Sequence, residues 1–349
     1  MTSHDKSLDH KTTHSRLRTR KVGAPHICVL LLVLFIISLW ALTIGSSSIG
    51  LAEVFGALTD YDGSREHIIA LNVRLPRIIA GVLVGASLAV SGALMQAVTN
   101  NPLASPGLLG VNAGAAFAIV LSLVLFDLSS MQTLVWFAFA GAGISAVVVY
   151  WVGSIGFGGA TPLKLAIAGA ITSAFLAALT TTILIFDKTT LDNIRLWTVG
   201  SLANRTLPTI GTVLPYLLIG LAAAIAFSRQ VTTLGLGPDV ARTVGQNLLI
   251  WRSIVCLIVV LLAGSAVALA GPIGFVGLVV PHIARFFCGS DYGRIVLVSA
   301  LTGALLVVLG DNVLRFAFPS KDIPVGVTMA ILGAPFFIFL ARNRLRGAN

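Results

Sequence analysis

The sequence predicts an all-α polytopic membrane protein with about ten transmembrane helices, and three observations carry that prediction. Of 349 residues, 56% are apolar and only 10% charged, with a mean hydropathy of +0.97, where a soluble domain carries about 25% charged residues. Long stretches lack Asp, Glu, Lys and Arg altogether, as spans must when one ionised side chain at the bilayer centre costs about 2.5–3.5 kcal/mol even on insertion scales. The tails and the loops between those stretches hold fifteen Lys and Arg on one side against eight on the other, with four acids against nine. The positive-inside rule makes the first side cytoplasmic. An even helix count then puts both termini there, in a multi-pass protein of the cytoplasmic (inner) membrane. Ten spans of roughly 20 residues leave no room for a soluble catalytic domain.

The spans follow in order. Residues 1–25 form a basic cytoplasmic tail, and Ile27–Gly45 has the length of one helix. It is too long for a signal-peptide core, and no small-residue cleavage site follows, so a retained helix is expected. The uncharged run Ile78–Phe126 is broken by Asn100-Asn101-Pro102 and Ser105-Pro106-Gly107. Proline lacks a backbone donor and turns the preceding residue away from helix, so two helices flank a tight turn. Further spans are placed near 133–152, 164–186, 208–228 and 249–269. Gly271-Pro272-Ile273-Gly274 then cuts the next uncharged run and leaves a half-length helix before Arg285, which protein must cover because lipid cannot satisfy open backbone groups. Spans near 295–315 and 325–341 complete ten. The transmembrane body is residues 26–341, with a cytoplasmic loop at 229–252 and a basic tail at 342–349. Glycines at helix-packing spacing, such as Gly81 and Gly85 or Gly110 and Gly114, predict close packing within one chain.

Candidate chemistry is sparse. No Gly-Lys pair exists to make a P-loop, so any ATP motor is another chain. Cys28, Cys256 and Cys288 show no paired spacing, and the six histidines are split between the N-terminal tail and opposite sides of the membrane. The Lys and Arg sit in scattered loops and tails, which excludes a nucleic-acid groove. Neither a proton relay nor an intramembrane protease finds its carboxylates or triad at depth. An ion-coupled secondary transporter would need ion-coordinating groups at the midplane, which the chain hardly offers. Polar residues break the pattern at three places. Arg74-Leu75-Pro76-Arg77 opens a span on the outer side, either snorkelling to headgroups or serving a partner. Asp311 and Arg315 stand four apart near the outer end of another span, the spacing of a helix-stabilising ion pair. In the longest inner loop Pro238 suits a first helical position, Asp239 a first turn and Gly245 a helix stop. That predicts a two-turn helix with Val240 and Val244 on one face, too short to stand alone in water, and therefore packed on its own membrane body or on a docked subunit.

Longer blocks point to a family. Arg74–Arg77, Ser91-Gly92-Ala93-Leu94-Met95-Gln96, Asn101-Pro102-Leu103-Ala104 with Pro106-Gly107 and Gly110, Asn112 with Gly114-Ala115, Gly271–Leu278 with Pro281-His282 and Arg285, and Pro324 with Gly326-Val327 resemble the permease subunits of the vitamin B12 and iron-siderophore (type II) ABC importers. Within that family, residues 107–115 and Gly333-Ala334-Pro335 with the basic ending look most like one subunit of a ferric-enterobactin permease pair.

The resemblance implies ten helices, a non-catalytic subunit without cofactor or metal, and an assembly. Its partners would be a second permease subunit, expected as a heterodimer, two ATPase subunits inside, and a substrate-binding protein outside. The implied cargo is a ferric siderophore, an enterobactin-like catecholate first, with another iron chelate, haem or vitamin B12 as alternatives. Arg74, Arg77 and Arg315 match residues that bind glutamates of the binding protein. Pro238, Asp239, Ala241 and Gly245 match the coupling helix that enters the ATPase, with Asp239 for the usual Glu and Val240 for the first Ala. Thr161, Pro162 and Leu163 fall at the cytoplasmic gate, where small polar residues are the rule and Pro162 and Leu163 depart from it.

Overall fold

The computed structural model describes residues 23–45, 47, 49–126, 128, 130–156, 161–319 and 321–346; most of the N-terminal basic tail lies outside them. No strand occurs among the described residues. In chain order the helices are α1 (Ala24–Thr43), α2 (Leu51–Thr59), α3 (Arg65–Thr99), α4 (Val111–Phe126), α5 (Met131–Ser154), α6 (Pro162–Phe186), α7 (Lys188–Thr198), α8 (Leu207–Ala226), α9 (Ser228–Gly235), α10 (Pro238–Thr243), α11 (Leu248–Ala270), α12 (Val276–Cys288), α13 (Tyr292–Ala317) and α14 (Val325–Arg346). Seven are long and apolar enough to cross a membrane, and Val111–Phe126, Val276–Cys288 and Val325–Ile338 are shorter apolar helices. These ten segments coincide with the ten expected from charge-free runs. The tight turn at 100–110 is present, with Asn100 left-handed at φ 48° and a single 3₁₀ turn at Pro106–Leu109.

The bundle is built around α3, whose apolar window is 83% buried against 11% for α6 and 6% for α1. It packs antiparallel on α13, with Arg77 beside Asp311 and Gly85 beside Gly303, and parallel to α12, with Gly92 against Gly277. A Cβ on Gly92 would stand 1.9 Å from the Gly277 carbonyl oxygen, and one on Gly85 2.3 Å from that of Gly303. Absent side chains thus let these backbones touch, which is how helices without a hydrophobic drive between them gain van der Waals contact. The close packing expected of Gly85 and Gly114 is internal, since Gly114 meets the Gly141 carbonyl.

Two spans carry a π turn, at Ala70–Arg74 in α3 and Val260–Gly264 in α11. The first follows from Pro76, which has no N–H for the Asn72 carbonyl; the Leu75 N–H reaches back five residues to Ala70. The wider turn rotates Arg74 inward.

The break at Gly271–Gly274 is also present, with Gly271 at φ 77°, and the half-length α12 is covered by protein from Val276 to Pro281. Boundaries differ from expectation at α3, which begins at Arg65 well ahead of Arg74, and at α12. Instead of ending before Arg285, α12 runs through it to Cys288, because the guanidinium is received by Gln96 of α3. Helices α2, α7 and α9 were not expected from charge-free runs, since each carries or adjoins charge.

Candidate functional site

Three groups of residues stand out, at two ends of the bundle. At the end where α3 begins, Arg74, Arg77 and Arg315 converge. Arg74 is 2% exposed; its Nη1 donates to the Leu42 carbonyl at 2.6 Å and its Nη2 to the Ser47 carbonyl. Arg315 donates from Nη2 to the Ile44 carbonyl at 2.5 Å and from Nη1 to Asn312 Oδ1 at 3.3 Å. The stretch after α1 threads between these two guanidiniums at Gly45, where a Cβ would lie 2.8 Å from Arg74 Nη2 and 3.1 Å from Arg315 Nη2.

Arg77 is held differently. Its Nε and Nη2 grip both oxygens of Asp311 at 2.8 Å, and its Nη1 donates to Asp322 at 3.0 Å. The expected Asp311–Arg315 pair within α13 is therefore not formed. Asp311 is 4% exposed in its side chain, and a two-pronged guanidinium satisfies a buried carboxylate better than one long-range contact along its own helix. Around the three arginines lies a cavity of about 280 Å³, completed by Val73, Lys321 and Asp322. Four cations against the acids Asp311 and Asp322 leave it positive.

Sequence reading missed Arg205 beside this cluster. It sits in the loop between α7 and α8, 4% exposed, with Nη2 donating to the Ser201 carbonyl at 3.2 Å and, among the described residues, no hydrogen-bond partner for Nε or Nη1. Burial, and after it the neighbouring Arg77, push it down to about 10. Nothing in its local sequence marks it, because its cationic neighbour is 128 positions away in the chain.

At the opposite end, α10 forms as its capping residues predict. Pro238 is its first residue, Asp239 is in the first turn, and Gly245 stands at φ 78° with its N–H on the Arg242 carbonyl at 2.9 Å. Ala241 is fully buried, which seats the helix between α9 and α11. Leu236, Val240 and Val244 remain 55%, 44% and 65% exposed. This is a small apolar face that no described residue covers.

Behind α10, a relay of contacts leads into the core. Thr232 of α9 accepts the Tyr292 N–H at 3.2 Å, the Arg285 guanidinium lies 6.0 Å over the Tyr292 ring, and Arg285 Nη2 donates to Gln96 Oε1. The Gln96 amide donates in turn to the Gly277 and Leu278 carbonyls of α12 at 3.3 and 3.4 Å. Both Gln96 and Arg285 stood out in the sequence as parts of separate blocks, and only the fold joins them.

The third group is Thr161, Pro162 and Leu163. Thr161 caps α6, its hydroxyl accepting the Lys164 N–H at 3.4 Å, Pro162 is the first helical residue, and Leu163 is 70% exposed. They lie at the α10 end, across the bundle from the arginines. Among the described residues no group of three His, Cys, Asp or Glu side chains is placed to hold a metal.

Ten apolar helical segments, with the charged side chains gathered toward the two ends of the bundle, define a polytopic α-helical membrane protein. The match extends over residues 30–343 to the FecCD transport family, and the chain belongs to that family. It is 44% identical over 317 residues to the Fe(3+)-citrate import system permease protein YfmD of Bacillus subtilis, covering 90% of this chain and 94% of that one. It is 41% identical over 329 residues to the ferric enterobactin transport system permease protein FepD of Escherichia coli, covering 94% and 97%. Its fold matches a solved ABC transporter, described as of metal-chelate type and in an inward-facing conformation, with a TM-score of 0.80 at 27% identity over 92% of this chain and all of that one.

Proposed function

We propose that this chain is the membrane permease subunit of an ATP-driven importer that carries a ferric siderophore across the cytoplasmic membrane, both termini facing the cytoplasm. The observation that carries this reading is similarity along nearly the whole chain to permeases named for ferric chelates. ATP would be hydrolysed by two partner subunits, and a second, similar permease subunit would complete the pathway as a heterodimer.

The site geometry supplies a role for each end. A positive cavity with Lys321 and Arg315 at its surface suits carboxylates of an extracytoplasmic binding protein, with Arg77 and Arg74 behind them as the fixed source of field. The apolar face of α10 suits a groove on an ATPase, and the relay from Thr232 through Arg285 to Gln96 would pass its displacement to α12 and α3. Rigid-body rocking of the permease halves would then open and close the pathway near Thr161, Pro162 and Leu163.

The cargo is proposed to be a catecholate, on the likeness to FepD and on the block at residues 107–115. Ferric citrate is the second reading, favoured by the likeness to YfmD. Uptake of radiolabelled iron by cells lacking the gene separates the two. Loss of ferric-catecholate uptake with ferric citrate and vitamin B12 unaffected supports the first; loss of ferric citrate alone selects the second; normal uptake of every ferric chelate removes the siderophore reading.

A further inference from the structure

In the break between α11 and α12 stands the one bulky residue at positive φ among those described; the other two non-glycine residues there, Asn100 and Asn204, are asparagines. Asparagine can offset that conformation with local hydrogen bonds, and phenylalanine cannot. Phe275 lies at φ 66° and ψ −32°, and the Val276 N–H bonds back across it to the Gly274 carbonyl at 2.8 Å. That is close to the γ-turn of positive φ, which is rare and strained.

Such strain persists only where the surroundings impose it, and here both flanks are fixed. Before the turn, the Ser201 N–H bonds the Ala270 carbonyl at 2.8 Å, and a Cβ on Gly271 would stand 2.0 Å from the Trp197 carbonyl oxygen. After it, the Phe275 carbonyl accepts the Leu278 and Val279 N–H groups at 3.0 and 2.8 Å and so opens α12. Gly274 between them is exposed, with nothing within 4 Å of a built Cβ, so the peptide beside Phe275 has room to turn.

The Phe275 ring ends in a notch on α14, since a Cβ on Gly333 would lie 2.2 Å from Phe275 Cγ. Two residues further on, Pro335 stands inside α14 with no N–H for the Ile331 carbonyl, and helices kink at such a residue. Ahead of this joint α14 is fastened: the Gly326 N–H bonds the Gly200 carbonyl at 3.0 Å, and Met329 is buried against Gly310. At the joint it meets α12 through the seated Phe275 ring and through Phe336, edge-on to His282 at 6.0 Å.

We propose that Phe275 is a latch on this joint, a positioning residue of the transport cycle. With the ring in the notch, α14 is held along α12. When the ring withdraws, residue 275 returns to negative φ, and the arm of α14 beyond Pro335 bends away and moves the wall of the bundle at the α10 end. Because the seated state carries backbone strain, unseating the ring takes less work than packing alone would demand. The role in transport rests on the importer reading above; the latch itself is read on the chain alone.

Spin labels at Arg342→Cys, exposed on that arm, and at Trp151→Cys, exposed at the α10 end of α5, test it in the full-length chain in nanodiscs, with Cys28, Cys256 and Cys288 replaced by alanine. Arg342 lies seven residues past Pro335, about 10 Å along the helix. A bend of roughly 30° at the joint therefore moves it about 5 Å. Wild type should give a narrow distance distribution. Phe275→Gly adopts φ 66° without strain but has no ring, and Gly333→Ala puts a methyl group where the ring sits. Each should broaden the distribution and shift it by about 5 Å, and the double variant should go no further, because both changes undo one contact. Wild-type distances in both single variants overturn the latch, as does an additive double variant. Gly333→Ala should also fold, since the ring has a second place to go; failure to fold would show that the notch has no empty state and overturns the proposal equally. In the assembled importer ATP should exchange wild type between the two distributions, and each single variant should lose most of its uptake while still co-purifying with the ATPase. Import by wild type with no change in the 151–342 distance removes the latch from the cycle. Absence of any ATPase partner falls on the importer reading, while the distances on the chain alone still decide the latch.

Discussion

Arg77 and Asp311 hold the arginine end together by a two-pronged ion pair whose members are 11% and 4% exposed in their side chains. Burying such a pair is costly, and removing one member costs more than replacing both, because the survivor is left uncompensated. Asp311→Ala should therefore destabilise the permease by about 3 kcal/mol, with Asp322 holding Arg77 by one bond only. The double variant Arg77→Met with Asp311→Leu should recover most of that loss; thermal unfolding of the purified chain checks both. The same reasoning selects the residue with which to test docking. Arg74→Glu would put a carboxylate against the Leu42 and Ser47 carbonyls, and its failure would report folding. Lys321 is exposed at the rim of the cavity, so Lys321→Glu changes the field without disturbing a buried bond. It should weaken association with the binding protein, and more so at low than at high ionic strength, because an exposed charge is screened by salt. Equal affinity of wild type and variant at low salt removes Lys321 from the docking surface.

At the scale of elements, what was legible in the sequence was what short-range physics dictates. The ends of α10 were readable because proline, a first-turn acid and a positive-φ glycine each act on their own turn. The long spans were readable because exclusion of charge from hydrocarbon acts on every residue of a segment. Helices α2, α7 and α9 escaped for the converse reason, since a helix lying outside the hydrocarbon can hold Glu53, Lys188 or Arg229 at no penalty. The relay Thr232–Tyr292–Arg285–Gln96 and the pairing of Asp311 with Arg77 were invisible because, apart from the Tyr292–Arg285 contact, their partners lie 60 to 234 positions apart. For α10 this gives a prediction that separates the helix's shape from its surface. Gly245→Val forces a β-branched residue to φ 78°, costing roughly 1–2 kcal/mol of local strain, and should loosen the helix stop. Val240→Asp leaves the backbone alone and places a charge on the uncovered face. Both variants should insert normally and co-purify poorly with the ATPase. Wild-type co-purification of Val240→Asp would show that this face is not the contact.

The molecule as a whole has a close-packed centre around α3 and peripheral helices with largely exposed faces, and the glycines show where the packing is tightest. At two of the three glycines of α3 another backbone already occupies the position of a side chain, as Gly277 does at Gly92 and Gly303 does at Gly85. Any larger residue must part α3 from α12 or α13, and in a close-packed interior the strain spreads rather than being absorbed locally. Gly92→Val should do this at the point where Gln96 also fastens α3 to α12, one turn further on, so overpacking of about 3 kcal/mol is joined by loss of the Gly277 and Leu278 hydrogen bonds. Little folded protein should be recovered. Gly211 supplies the contrast. It lies in α8 with nothing within 4 Å of a built Cβ and no positive φ, so Gly211→Ala should be tolerated and should stabilise by about 0.5–1 kcal/mol through the unfolded chain. Monodisperse yield and Tm of the two variants, measured side by side, check the division. If Gly92→Val survives as well as Gly211→Ala, α3 is not the rigid axis on which the rest of the permease turns, and rocking of the whole body as one unit loses its mechanical basis.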